Sequence, residues 1–151
     1  MLAASKLLAV APVVVRAAQV ALVDEIDRRG LHKGDGHASA KVLVRHAANL
    51  SDAEALRRAK AQRALRSLPA VAAASRTGQV GACQVDRIAR VHANPRVRDL
   101  LVEVEADLAV VAAQLPYREF DAYLTDWERL ADEDGAGDGA ERDHVRRSFR
   151  I

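Results

Sequence analysis

The sequence predicts an all-α protein, a compact multi-helix domain of about seven helices, on three observations. Apolar residues recur at steps of three and four almost throughout, and no stretch alternates polar with apolar side chains for long enough to read as a strand. Prolines, glycines and capping residues break the chain at intervals that suit short helices. Half of the residues are hydrophobic but only 3% are aromatic, so the core must be built of Ala, Val and Leu, whose small side chains let helix axes approach.

Each element has a local reason. The first helix runs to DEIDRRG and stops at Gly30, a natural left-handed residue. Arg28 and Arg29 sit where the negative end of the helix dipole favours cations. Pro12 either starts this helix or kinks it, because proline donates no backbone hydrogen bond. LHKGDGHA reads as a loop, and a short helix from about Ser39 to Ala48 follows, burying Val42, Leu43 and Val44. S-D-A-E at Ser51–Glu54 is a capping box: the Ser51 hydroxyl accepts from the Glu54 backbone N–H, and the Glu54 carboxylate reaches back to Ser51. In the helix it opens, Ala53, Leu56, Ala61, Ala64 and Leu68 are expected inside.

Pro69 stops that helix and opens the next, which Gly78 ends. A further helix covers about Ala82–His92. After Asn94-Pro95, Val97, Leu101, Val104, Leu108, Val111 and Leu115 form the cleanest amphipathic stripe in the chain. Pro116 breaks it, and Tyr117, Phe120, Leu124 and Trp127 line the next helix as core residues. Residues 1–131 are expected to form the helical domain. Residues 132–151 read as an acidic glycine-rich loop and a terminal helix or strand leading toward a downstream module.

The net charge of +2 conceals a split. Lys41–Arg98 holds twelve Lys/Arg against Asp52, Glu54 and Asp86, a balance of +9. Asp99–Val145 holds fourteen acidic residues against Arg118, Arg129 and Arg142, a balance of −11. Such blocks suit a polyanionic partner for the first, or docking of one block on the other, and equally two solvated helix faces of opposite sign. The scarcity of aromatic residues argues against a stacking platform for single-stranded nucleic acid. A lone cysteine, Cys83, allows no internal disulfide and points to a reducing cytoplasm. Arg16 interrupts the N-terminal apolar run, which continues as an amphipathic helix; neither a secretory signal nor a membrane span is expected.

DGHASAKVL at Asp35–Leu43, LSDAEA at Leu50–Ala55 and L-x-x-L-P-A-x-A-A-A-x-x-x-G at Leu65–Gly78 occur in order. L-x-x-x-A-A-x-L-P at Leu108–Pro116 and W-x-x-x-A-D-E-D-G-A at Trp127–Ala136 follow. Together they resemble the actinobacterial 13E12-repeat family, whose N-terminal helical domain of unknown function usually precedes an HNH endonuclease module. The family commonly has Trp where this chain has Val42. It has Ser or Thr at the position of Gly81, whose absence removes an expected helix cap. No HNH module follows within these residues, so the resemblance implies the accessory half without the catalytic half.

No catalytic residue is assigned. Asp143-His144 is the one superficial match to an HNH metal site, and no second histidine or asparagine follows it. His32, Asp35 and His37 share a loop but lack the paired spacing of a zinc site, and D-E-D-G-A-G-D-G lacks the spacing of a calcium loop. No phosphate loop, nucleophile elbow or Ser/His/Asp arrangement is visible, and Cys83 reads as an inert thiol. No cofactor and no metal is expected.

The helix–glycine–helix stretch Leu65–Val91 can be read as a helix-turn-helix, a layout similar also to that of ParB-type partition proteins. Val85, Ile88 and Ala89 would then face inward, and Asp86, Arg87 and Arg90 outward, with Gln79 and Gln84 near the start. The expected nucleic-acid contacts are Arg57, Arg58, Lys60, Arg63 and Arg66 on phosphates, and Gln84, Arg87 and Arg90 toward base edges. The leading reading is a non-catalytic, DNA-associated accessory domain. The alternative is a protein-interaction or oligomerisation module without nucleic-acid binding, in which the basic block meets the acidic one of the same chain or a partner. Candidate partners are double-stranded DNA, a further copy of the chain or a downstream nuclease module; a membrane is not among them.

Overall fold

The computed structural model describes residues 2–34 and 36–134, with side chains from residue 10 to residue 133. Among these residues there are nine helices and no strand: α1 (Leu2–Arg29), α2 (Leu31–Gly34), α3 (Ala40–Ala47), α4 (Asp52–Ser67), α5 (Pro69–Arg76), α6 (Ala82–His92), α7 (Arg98–Glu103), α8 (Glu105–Gln114) and α9 (Tyr117–Asp134). The all-α expectation holds, with two elements more than anticipated. LHKG closes a single helical turn where a loop was expected, and the Val97–Leu115 stripe breaks at Val104 into α7 and α8.

The local signals act as the sequence implies. Gly30 and Gly78 adopt φ of +64° and +77°. Ser39 and Ser51 cap α3 and α4, their hydroxyls accepting from the backbone N–H of Val42 at 3.3 Å and of Glu54 at 3.2 Å. The reciprocal half of the Ser51 box is replaced: the Glu54 carboxylate accepts from Arg57 and, at 2.8 Å, from Arg58. Pro69 occupies the first turn of α5, and Pro12 lies inside α1.

The core is the sequence stripe folded against its neighbours. Val97, Leu101, Val104, Leu108 and Val111 are all buried and join Phe120, Leu124 and Trp127 of α9. Helix α6 lies at the centre, packed by α1, α4, α5, α7 and α9. Seven of its residues are buried, leaving only the narrow face of Cys83, Asp86 and Arg90 turned outward.

Three expectations about burial are corrected. Tyr117 is exposed, because it sits on the first turn of α9 just beyond Pro116. In α3, Val42, Leu43 and Val44 are only half-buried and Ala40 is the enclosed residue. In α4, Ala53 and Leu56 are exposed, whereas Ala55, Ala59 and Gln62 are buried beside the expected Ala61, Ala64 and Leu68. That helix is covered by α1, α3, α5 and α6, so its buried arc is set by four neighbours and follows small residues. Asp35 and residues 135–151, including Asp143-His144 and most of the acidic glycine-rich segment, lie outside the described residues.

Candidate functional site

The proposed recognition helix does not present the expected face. Gln84 and Arg87, read as outward, are both buried. The Gln84 Oε1 accepts from the Gly81 backbone N–H at 2.7 Å, and its Nε2 donates to the carbonyls of Ala112 at 2.5 Å and Leu115 at 3.0 Å. It therefore satisfies the Gly81 N–H as the reciprocal half of a capping box, and fastens the start of α6 to the end of α8.

Arg87 reaches α9. Its Nε donates to Asp121 at 2.7 Å, an Nη to Thr125 at 3.0 Å, and both Nη atoms to Glu128 at 3.3 and 3.4 Å. Asp121, Thr125 and Glu128 stand at i, i+4 and i+7, so one face of α9 receives the whole guanidinium. A signal for this lay in the sequence: Gln84, Arg87, Ile88 and Val91 share a stripe at i, i+3, i+4 and i+7. The outward positions of α6 are Cys83, Asp86 and Arg90, and Asp86 is taken by Arg16 of α1 at 2.7 Å.

The helix before it is shut in the same way. The N-terminus of α5 has no side-chain cap of its own at Leu68. The Glu105 carboxylate of α8 fills it, accepting from the backbone N–H of Ala70 at 3.0 Å and of Val71 at 3.3 Å. The positive end of that helix dipole is thus already occupied by an internal anion.

The basic face of α4 is partly neutralised. Arg57 and Arg58 share Glu54, and Arg66 bonds Asp24 and, at 2.9 Å, Asp27 of α1. Burial works to raise the Asp24 carboxyl, but hydrogen bonds from Arg66 and Gln62 with the nearby charges of Arg66 and Arg28 outweigh it, holding it below the usual carboxylate range. Glu54 follows the same balance: burial raises it, and Arg58 and Arg57 bring it below its ordinary value. Lys60, Arg63 and Arg90 have no carboxylate within ion-pair distance among the described residues.

Two of the unpaired cations, Lys60 and Arg90, line a cleft of about 340 Å³ where α4, α6 and the start of α9 meet. Leu56, Ala89 and Tyr117 give it an apolar lining, Arg57 adds a third cation, and Cys83 and Asp86 complete it. Leu56 and Tyr117 are 47% and 43% exposed, so water covers apolar surface here in the free chain. The cleft joins positive charge to an apolar floor, an arrangement that holds a ligand with both acidic and apolar groups.

The sequence model of a domain of unknown function, DUF222, matches residues 3–151. The chain belongs to the DUF222 family. No curated protein and no solved structure matches it. Membership of DUF222 is consistent with the motif resemblance read from the sequence; the 13E12-repeat group is a finer statement than this match carries. Helix α9 of this DUF222 chain ends at Asp134. No helix among the described residues is long and apolar enough to cross a membrane. Nor does any group of three or more His, Cys, Asp or Glu among them converge as metal ligands.

Proposed function

We propose that this DUF222 domain is a non-catalytic protein-interaction module, and that its ligand face is the α4–α6–α9 cleft. The ligand class is a polypeptide segment carrying acidic and apolar side chains. One observation carries the choice: α6 spends Gln84 and Arg87 on its own domain, and a groove-reading helix needs those positions free. The motifs shared with the 13E12-repeat family support a nuclease module of the HNH type as the partner in a longer protein.

A second reading stays alive on a specific observation. Lys60, Arg63 and Arg90 lack carboxylate partners among the described residues, and together they can neutralise about three phosphates. That supports loose, sequence-independent DNA contact of the accessory kind, with no base reading.

Fluorescence anisotropy separates the two. A labelled peptide of mixed Glu and Leu is expected to bind, and Lys60→Glu with Arg90→Glu to weaken it by tenfold or more. A labelled duplex is expected to bind weakly, with a log–log salt slope no steeper than about −3. A slope of about −6 or steeper, with the peptide ignored, would overturn the proposal in favour of a phosphate grip along α4.

A further inference from the structure

Helix α1 is apolar on both of its long faces. On the inner side Ala17, Val20 and Val23 are buried, and Arg16 and Asp24 are tied to Asp86 and Arg66. On the outer side Ala11, Val15, Ala18 and Leu22 face solvent, with Val15 56% and Leu22 60% exposed. Arg16 is the single charged residue between Ala11 and Leu22, and it points inward. Gln19 is the single exposed polar residue in that stretch, and a solvent-facing stripe that is otherwise apolar calls for a cover.

The outer residues are spaced four, three and four, the repeat of a coiled-coil seam. Large and small side chains alternate along it: Val15 and Leu22 hold one heptad position, Ala11 and Ala18 the other.

That alternation selects the occupant. A parallel partner would set Ala against Ala and Leu against Leu, leaving voids in one layer and crowding the next. Between Ala11 and Leu22 an antiparallel second copy sets a large residue against a small one in each layer, Val15 of one copy against Ala18 of the other and Leu22 against Ala11. We propose that two copies of the chain pair antiparallel through the outer faces of α1. The contact is isologous and closes on itself as a two-fold dimer. A bilayer surface fits less well, because an interfacial helix turns a Lys/Arg-rich face to water and the inner face of α1 is packed on the domain. The contact is one helix wide, so the dimer belongs with small specific interfaces, with a dissociation constant of about micromolar order. None of the cleft residues takes part, and the proposal stands or falls apart from the interaction reading.

Sedimentation equilibrium of the full chain over a range of concentrations tests it. The expected result is a reversible shift from 16.3 kDa to twice that mass. Val15→Glu with Leu22→Glu should give a monomer at every concentration, with unchanged helical circular dichroism since both sites are exposed. Ala18→Leu is the sharper variant: it adds apolar surface at an exposed helical position yet fills the space that the other copy's Val15 needs. It should weaken the dimer at least tenfold. A wild-type chain that stays monomeric, a dimer that survives the double glutamate change, or one that Ala18→Leu tightens would each overturn the proposal. So would a monomer that binds anionic vesicles more strongly with Ala18→Leu.

Discussion

Replacing Arg87 by alanine tests the inward α6 most directly. Its side chain is 9% exposed and gives hydrogen bonds to Asp121, Thr125 and Glu128. Removing one partner of a fully buried ion pair costs about 3–5 kcal/mol, and of an exposed pair less than about 1. Here the acceptors are 43% and 29% exposed, so both carboxylates rehydrate once the guanidinium is gone. The expected loss is therefore about 2–3 kcal/mol, part of it the packing of the aliphatic stem. Arg87→Met keeps the stem and should lose about 1 kcal/mol less. Urea unfolding followed by circular dichroism reads both, and a chain of this length should melt about 4–12 °C lower for the alanine variant. Duplex DNA binding should not change. A variant as stable as wild type that has lost DNA affinity would mean that Arg87 points outward, and the whole assignment of α6 would be wrong.

Glu105→Gln removes the charge that closes the N-terminus of α5 and should destabilise by about 1 kcal/mol, with faster hydrogen exchange at the Ala70 and Val71 amides. Gly78→Ala should cost about 1–3 kcal/mol in urea unfolding: φ is +77°, and an added Cβ would sit 2.6 Å from Cγ1 of Val10. Val10→Ala in the same chain should return only the steric part. His92 is buried and its Nε2 has no hydrogen-bond partner; burial, with the Arg98 charge, pulls its pKa below 6.5. The unfolded chain therefore takes up a proton that the folded chain refuses. Stability is full above about pH 6.5 and falls below it by up to about 1.4 kcal/mol per pH unit until the folded pKa is reached, a slope that His92→Leu should abolish in melts at several pH values.

The elements themselves were legible because their causes are local. Ser51, Pro69, Gly78 and Pro116 act within one turn of where they stand, and the Val97–Leu115 stripe reports a face that any core would bury. The break at Val104 and the turn at Leu31 were not, since short helices end where tertiary contacts outweigh propensity. The candidate site divides along the same line. Arg90 and Lys60 stay unpaired among the described residues, and Cys83 stays exposed as its helical position implies.

The sequence by itself determined an all-α chain, its main caps and stops, and a basic block followed by an acidic one. Only the tertiary structure decided which charges meet. Arg66 turns back to Asp24 and Asp27 of the first helix, while Arg87 and Arg96 go forward to Asp121, Glu128 and Asp132 of the last. Helical periodicity states which residues share a face but not which neighbour covers it. Whether an arginine ends in an ion pair or in water depends on which carboxylate the neighbouring helix brings within its reach, and that is set by the packing.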